Sequence, residues 1–215
     1  GACVRRWGCD HRGSVAPWLG GGVAAAEAGV SAAGQGQPVR GQTCGSPRDE
    51  ATEGLWRAWG LVSHLQGVVN TPELREAYNS NLPRVTRFAS ALGQNLALYR
   101  QYQALAASPE AASFDEARRK VRDNTLRDFR LGGAELDADA QQRFAAIKEE
   151  LSALSAKFSQ NVLDATDAWS LIVEDEARLA GVPDDVKAAA RAPAAKDGKP
   201  GWQLTLHMPR TLPAH

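Results

Sequence analysis

From Asp49 onward the apolar residues return at helical spacing. In "DEATEGLWRAWGLVSHLQGVV", Leu55, Trp59, Val62, Leu65 and Val69 step by 4, 3, 3 and 4, which puts them on one face of a helix. Asn70-Thr71-Pro72-Glu73 closes that helix and opens another, with Thr71 as N-cap and Pro72 at the first helical position, where its missing N–H costs nothing. Pro83 is expected to kink or break the second helix near Asn81, after which Val85, Phe88, Ala89, Leu92, Leu96, Tyr99 and Tyr102 continue the stripe. A third helix is expected after a Ser113 cap, carrying Phe114, Ala117, Val121 and Phe129 and stopped by Gly132-Gly133. The fourth, after Asp137, repeats Phe144, Ile147, Leu151, Leu154, Phe158 and Val162 at steps of 3, 4, 3, 4 and 4, a pattern long enough for about eight turns. "WSLIVED" and "GWQLTLHM" alternate in strand fashion on either side of a short helix that begins near Pro183. The pattern predicts a mainly α fold with a small strand element near the C-terminal end.

Residues 1–47 have a different texture. They hold all three cysteines, Cys3, Cys9 and Cys44, and their apolar residues are mostly Ala and Val without a clear period. So little burial does not offset the entropy of ordering, and the stretch is expected to be disordered, or to come from a shifted reading frame or a misplaced start. Val23–Ala33 is the one piece with weak helical promise, interrupted by Gly29. Limited proteolysis is accordingly expected to trim the chain to a core beginning near Asp49, so the division expected is a 1–47 leader and a 48–215 helical lobe. The first residue is Gly and "RTLPAH" reads as part of an extended segment, so the natural ends are expected to lie elsewhere.

Composition narrows the function classes. The chain has 215 residues, room for one domain with an appendage, and its 25 basic residues balance 25 acidic ones. No net field therefore recommends nucleic acid or an anionic membrane as partner. No apolar run approaches the roughly 18 residues of a membrane span, and "GACVRRWGCD" lacks the apolar stretch of a signal peptide, so a cytoplasmic location is expected.

The candidate chemistry is sparse. Of the four histidines, His11, His64, His207 and His215, no two share a helix at i, i+4, and HExxH is absent. Cys3, Cys9, His11 and Cys44 match no usual zinc spacing. Ser63 and His64 are adjacent, and neighbours on a helix point about 100° apart, so they do not form a nucleophile and base. Asp164 and Asp167, and the run Glu174-Asp175-Glu176, are read as solvated or backbone-bonded carboxylates. Neither glycine run carries the GK[ST] of a phosphate loop. Trp56, Trp59, Trp169 and Trp202 are read as core or interface anchors rather than base-stacking platforms, since no Arg/Lys stripe accompanies them. No catalytic, cofactor-binding or metal-binding residue is assigned.

Four segments, "WGLVSHLQGVVNTPELREAYN", "LGQNLALYRQYQAL", "RKVRDNTLRDFRLGGAEL" and "LSALSAKFSQNVLDATDAWSLIVEDEARLAG", resemble the N-terminal half of the oligopeptidase A group in the thimet oligopeptidase family of zinc metallopeptidases. The resemblance runs from about residue 49 to about residue 213. It implies a bilobed, mostly helical enzyme whose lobes flank a channel for short peptides. In that family an HExxH helix and a later Glu hold zinc in the C-terminal half, so zinc belongs to the full-length family and none is expected in this chain. What the resemblance implies here is the helical N-terminal, non-catalytic lobe, whose partners are short peptides and the missing catalytic half, and which is inactive alone. With faces left open, and Leu204, Leu206 and Met208 at a strand edge, the lobe is expected to self-associate. The alternative function is a stand-alone helical module that binds peptides or acts as a scaffold.

Overall fold

The computed structural model describes residues 15–35, 46–196, 198 and 200–206. In chain order the helices are α1 (Val15–Gln35), α2 (Ser46–Val68), α3 (Pro72–Gly93), α4 (Leu96–Ala106), α5 (Glu116–Gly132), α6 (Ala138–Ala168) and α7 (Asp184–Lys196). Two short strands, β1 (Ser170–Val173) and β2 (Trp202–Thr205), pair antiparallel with Val173 opposite Trp202. The fold is mainly α with a small strand element towards the C-terminal end. The chain divides into two compact units, Gly1–Ala153 and Leu154–His215, with the division falling inside α6.

The corner between α2 and α3 follows the sequence signals. Asn70 takes a positive φ of 50°, which Asn tolerates better than most residues, and the Arg75 guanidinium donates to its Oδ1 at 3.0 Å. The Thr71 hydroxyl oxygen then accepts from the Leu74 N–H at 3.3 Å, capping α3. Contrary to a break near Asn81, α3 runs through Pro83 to Gly93. Asn81 is buried and its side-chain amide donates to the Ala77 carbonyl at 2.9 Å, supplying a local bond in the turn where Pro83 brings no N–H to the ladder. The stripe from Val85 to Tyr102 is also split: Asn95 caps a separate helix by accepting from the Leu98 N–H at 3.0 Å.

The third predicted helix starts later than Ser113. Residues Pro109–Ser113 form a 3-10 turn in which the Ser113 hydroxyl donates to the Glu110 carbonyl, and Asp115 caps α5 by accepting from the Arg118 N–H at 2.8 Å. A carboxylate at this place also suits the positive end of the helix dipole. The predicted stop holds, with Gly133 in the left-handed region at φ 93°. Asp137 caps α6 by accepting from the Ala140 N–H at 2.8 Å, and the helix runs 31 residues.

The core of the first unit joins α1 to α5. Val23, Ala26 and Val30 of α1 are buried with Leu55, Val85, Phe88, Leu98, Tyr99, Tyr102 and Phe129. Residues 15–35 are thus a helix whose inner face, at steps of 3 and 4, helps close the core, which corrects the expectation of a disordered leader for that stretch. Gly29 has a packing reason to be small: a Cβ there would lie 2.7 Å from the Cβ of Ala51, so its absence lets α1 lie close against α2. Small side chains at a helix contact exchange buried area for close backbone approach, which a count of large apolar residues does not register.

In the second unit, Val173, Leu179, Ala190 and Trp202 form a separate small core. The Arg191 guanidinium sits 5.0 Å from the Trp202 ring centre, covering a face of the indole.

Candidate functional site

A cavity of about 590 Å³ opens in the first unit between α2, α3 and α5. Trp56, Leu92 and Phe129 supply its apolar wall, while Asp49, Glu53 and Asp128 bring carboxylates to it. The i, i+4 spacing of Glu53 and Arg57 lets those two side chains pair, and Arg127 holds Asp128 at 3.1 Å. The cavity therefore combines an aromatic wall with two carboxylates, Glu53 and Asp128, already engaged by guanidinium groups, and with Asp49. It offers shape and polarity but no nucleophile beside a base.

Tyr99 is the clearest perturbed group. It is buried against Phe129, and its hydroxyl donates to Glu135 Oε1 at 2.5 Å. That hydrogen bond, with burial and the nearby carboxylate charge, raises the phenol above its ordinary value of 10.0. The folded state thus holds the phenolic proton more tightly than the unfolded chain does. Its contribution to stability is complete below the unfolded value and is lost as pH rises through the folded one. Tyr99→Phe should flatten the alkaline loss of stability in urea melts compared between about pH 8 and about pH 11; equal losses in both proteins would rule this out.

The residues weighed in the sequence do not converge. Cys3, Cys9, His11, Cys44, His207 and His215 lie outside the described residues. His64 is exposed on α2 and adjacent Ser63 is half-buried, in keeping with a surface histidine. Asp164 and Asp167 are exposed on α6, and Asp175 accepts a backbone hydrogen bond from the Ala177 N–H at 3.0 Å. The first glycine run, Gly20–Gly22, lies within α1, so it is no loop. Trp59 stacks on Tyr78 with ring centres 4.8 Å apart, and Trp202 is buried, both as anchors. Trp169, 43% exposed, is not a core residue.

Among the described residues no three His, Cys, Asp or Glu side chains are grouped to hold a metal ion, and no helix is long and apolar enough to cross a membrane. The cavity and the Tyr99–Glu135 pair were not foreseen. The cavity joins three helices, and Tyr99 meets Glu135 of the turn between α5 and α6, so the only local signals were the i, i+4 pair Glu53/Arg57 and the aromatic stripe ending at Tyr102.

Residues 41–141 match the family described as Neurolysin/Thimet oligopeptidase, N-terminal domain. The chain is 44% identical to oligopeptidase A of Haemophilus influenzae over 167 residues, covering 78% of this chain and 24% of that protein. It is 42% identical to oligopeptidase A of Escherichia coli over 179 residues, covering 83% of this chain and 26% of that protein. An organellar oligopeptidase A of Arabidopsis thaliana is 32% identical over 78% of this chain. The chain spans about a quarter of the length of the first two relatives. By its matched family domain and these identities, the chain belongs to the oligopeptidase A and thimet oligopeptidase family and corresponds to part of that family's N-terminal region.

Proposed function

We propose that this chain supplies a non-catalytic helical wall of a zinc-dependent, cytoplasmic oligopeptidase that hydrolyses short peptides. The observation that carries the reading is the 42–44% identity to oligopeptidase A confined to about a quarter of each relative. A zinc peptidase needs three protein ligands, an open position for water and a carboxylate to take its proton. The described residues do not fit that requirement, since His64 stands alone on α2 and no acidic group gathers beside it. The role left to these residues is packing and the shaping of a surface along which peptides pass.

The chain by itself is expected to cleave no peptide and to bind no stoichiometric zinc. A quenched short peptide, assayed with added zinc beside metal analysis of the purified protein, tests this directly. Chelator-sensitive turnover that follows the chain through several columns would overturn this expectation, and His64→Ala would then show whether that histidine takes part. Without its missing partner surface the chain should also associate weakly with itself at high concentration.

A further inference from the structure

We propose that the cavity between α2, α3 and α5 is a binding site for a small organic amine, a primary ammonium carried on an apolar body. The proposal lies within the first unit and does not draw on the oligopeptidase reading, so either stands without the other.

The interior of the cavity is apolar and closely walled. Thr52 and Phe129 are 3% exposed and Thr125 is 8% exposed, while Leu92 lies over them from α3. Ala89 and Gly93, four apart on α3, bring so little side chain that the space between the helices stays open. Trp56 rests on Phe88, with ring centres 5.7 Å apart, and is still 37% exposed, so part of its indole is offered to an occupant. The volume of about 590 Å³ lies in the range of small-molecule pockets.

The polar atoms around this interior ask for a donor with positive charge. Thr125 gives its hydroxyl proton to the Val121 carbonyl at 2.9 Å, so towards the cavity its nearly buried oxygen can only accept. One turn further along α5, Arg127 reaches Asp128 through Nε at 3.3 Å and Nη2 at 3.1 Å, both to Oδ1, which leaves Oδ2 to another cation. Across the cavity, Arg57 likewise takes only Oε1 of Glu53. Both ion pairs lie on exposed side chains, where such a pair is worth little and yields readily to a better partner. Three carboxylates, Asp49, Glu53 and Asp128, against the single guanidinium of Arg57 leave the lining negative. An ammonium supplies three donors and the complementary charge, and the faces of Trp56 and Phe129 attract both the cation and its apolar body. A bare metal ion would use the carboxylates and leave the aromatic wall idle.

The test titrates the full chain by calorimetry at low ionic strength with phenethylammonium, and with phenethyl alcohol and phenylpropionate as neutral and anionic counterparts. Phenethylammonium should saturate one site with Kd on the order of 1 mM, the strength open to so few atoms. The alcohol and the acid should bind at least about tenfold more weakly, because neither makes a charge-assisted bond to a carboxylate. Asp128→Asn, an exposed change that keeps the shape, and Trp56→Leu should each weaken phenethylammonium at least about fivefold, while Asp123→Asn, exposed on the same helix but outside the cavity, should leave it unchanged. Should Trp56→Leu fail to fold, Asp128→Asn decides alone. The amino end of a peptide carries the same chemistry, so the amide of phenylalanyl-alanine is titrated with its amino end free and acetylated. Tighter binding of the free form than of phenethylammonium makes a peptide amino end the source, and weaker binding makes it a free amine. Equal binding of the free and acetylated forms, equal binding of the three phenethyl compounds, the absence of saturation, or unchanged affinity in Asp128→Asn overturns the proposal. None of these outcomes bears on the family reading, since no peptide cleavage is measured.

Discussion

Deleting residues 1–40 should unfold the first unit or leave it without a cooperative transition, although the same cut looks harmless from composition. The deletion removes Val23, Ala26 and Val30, which are 5, 1 and 7% exposed and pack into the cluster that holds Leu55, Phe88 and Tyr102. Their own burial is worth a few kcal/mol at about 25 cal/mol per Å², and the surface they cover on α2, α3 and α4 is exposed in the same step. The total is on the order of 5 kcal/mol, comparable with the whole stability of many domains. Urea denaturation of the full and shortened chains measures it. A shortened chain that melts at the same midpoint with the same slope would show that α1 contributes nothing to the core. The match to the Escherichia coli relative, 179 residues in a chain of 215, begins at residue 37 or earlier, upstream of the boundary drawn from composition.

Why α1 was illegible while α2 to α6 were legible is a matter of side-chain size. The later helices announce themselves through large residues at steps of 3 and 4 and through the Thr71 cap, which bonds as expected. In α1 the inner face is Val23, Ala26 and Val30, and at Gly29 beside it a Cβ would collide with Ala51 of α2. A helix that packs by being thin looks, in composition, like a segment with nothing to pack. The opposite error occurred at α6, where the period predicted the helix and its length but not that its apolar face would point outward. Periodicity reports that a face exists and is silent on which neighbour is present to cover it. The cavity beside Trp56 was less legible still, because it depends on the distance between α2, α3 and α5 rather than on any motif.

The two kinds of phenylalanine in this chain should respond to truncation in opposite ways. Phe129 is 3% exposed, with ring centres 5.7 Å from Tyr99 and 5.8 Å from Tyr102, and it forms part of the cavity wall. Phe129→Ala removes most of a large side chain where Tyr99 and Tyr102 are packed around it within the buried cluster, so relaxation recovers little. A loss of about 3–5 kcal/mol is expected, from the transfer of the missing atoms and the void left behind. Phe129→Leu keeps much of the volume and should cost less than half as much. Because Tyr99 packs on this ring, the alanine variant should also loosen the Tyr99–Glu135 hydrogen bond and reduce the alkaline sensitivity that Tyr99 contributes. Phe158, by contrast, is 70% exposed on α6, and Phe158→Ala should change the stability of the isolated chain by no more than about 0.5 kcal/mol. Urea melts of the three variants beside the parent give the ranking. Comparable losses for Phe129→Ala and Phe158→Ala would mean that the isolated chain already covers the α6 stripe, and would count equally against the packing described for the first unit.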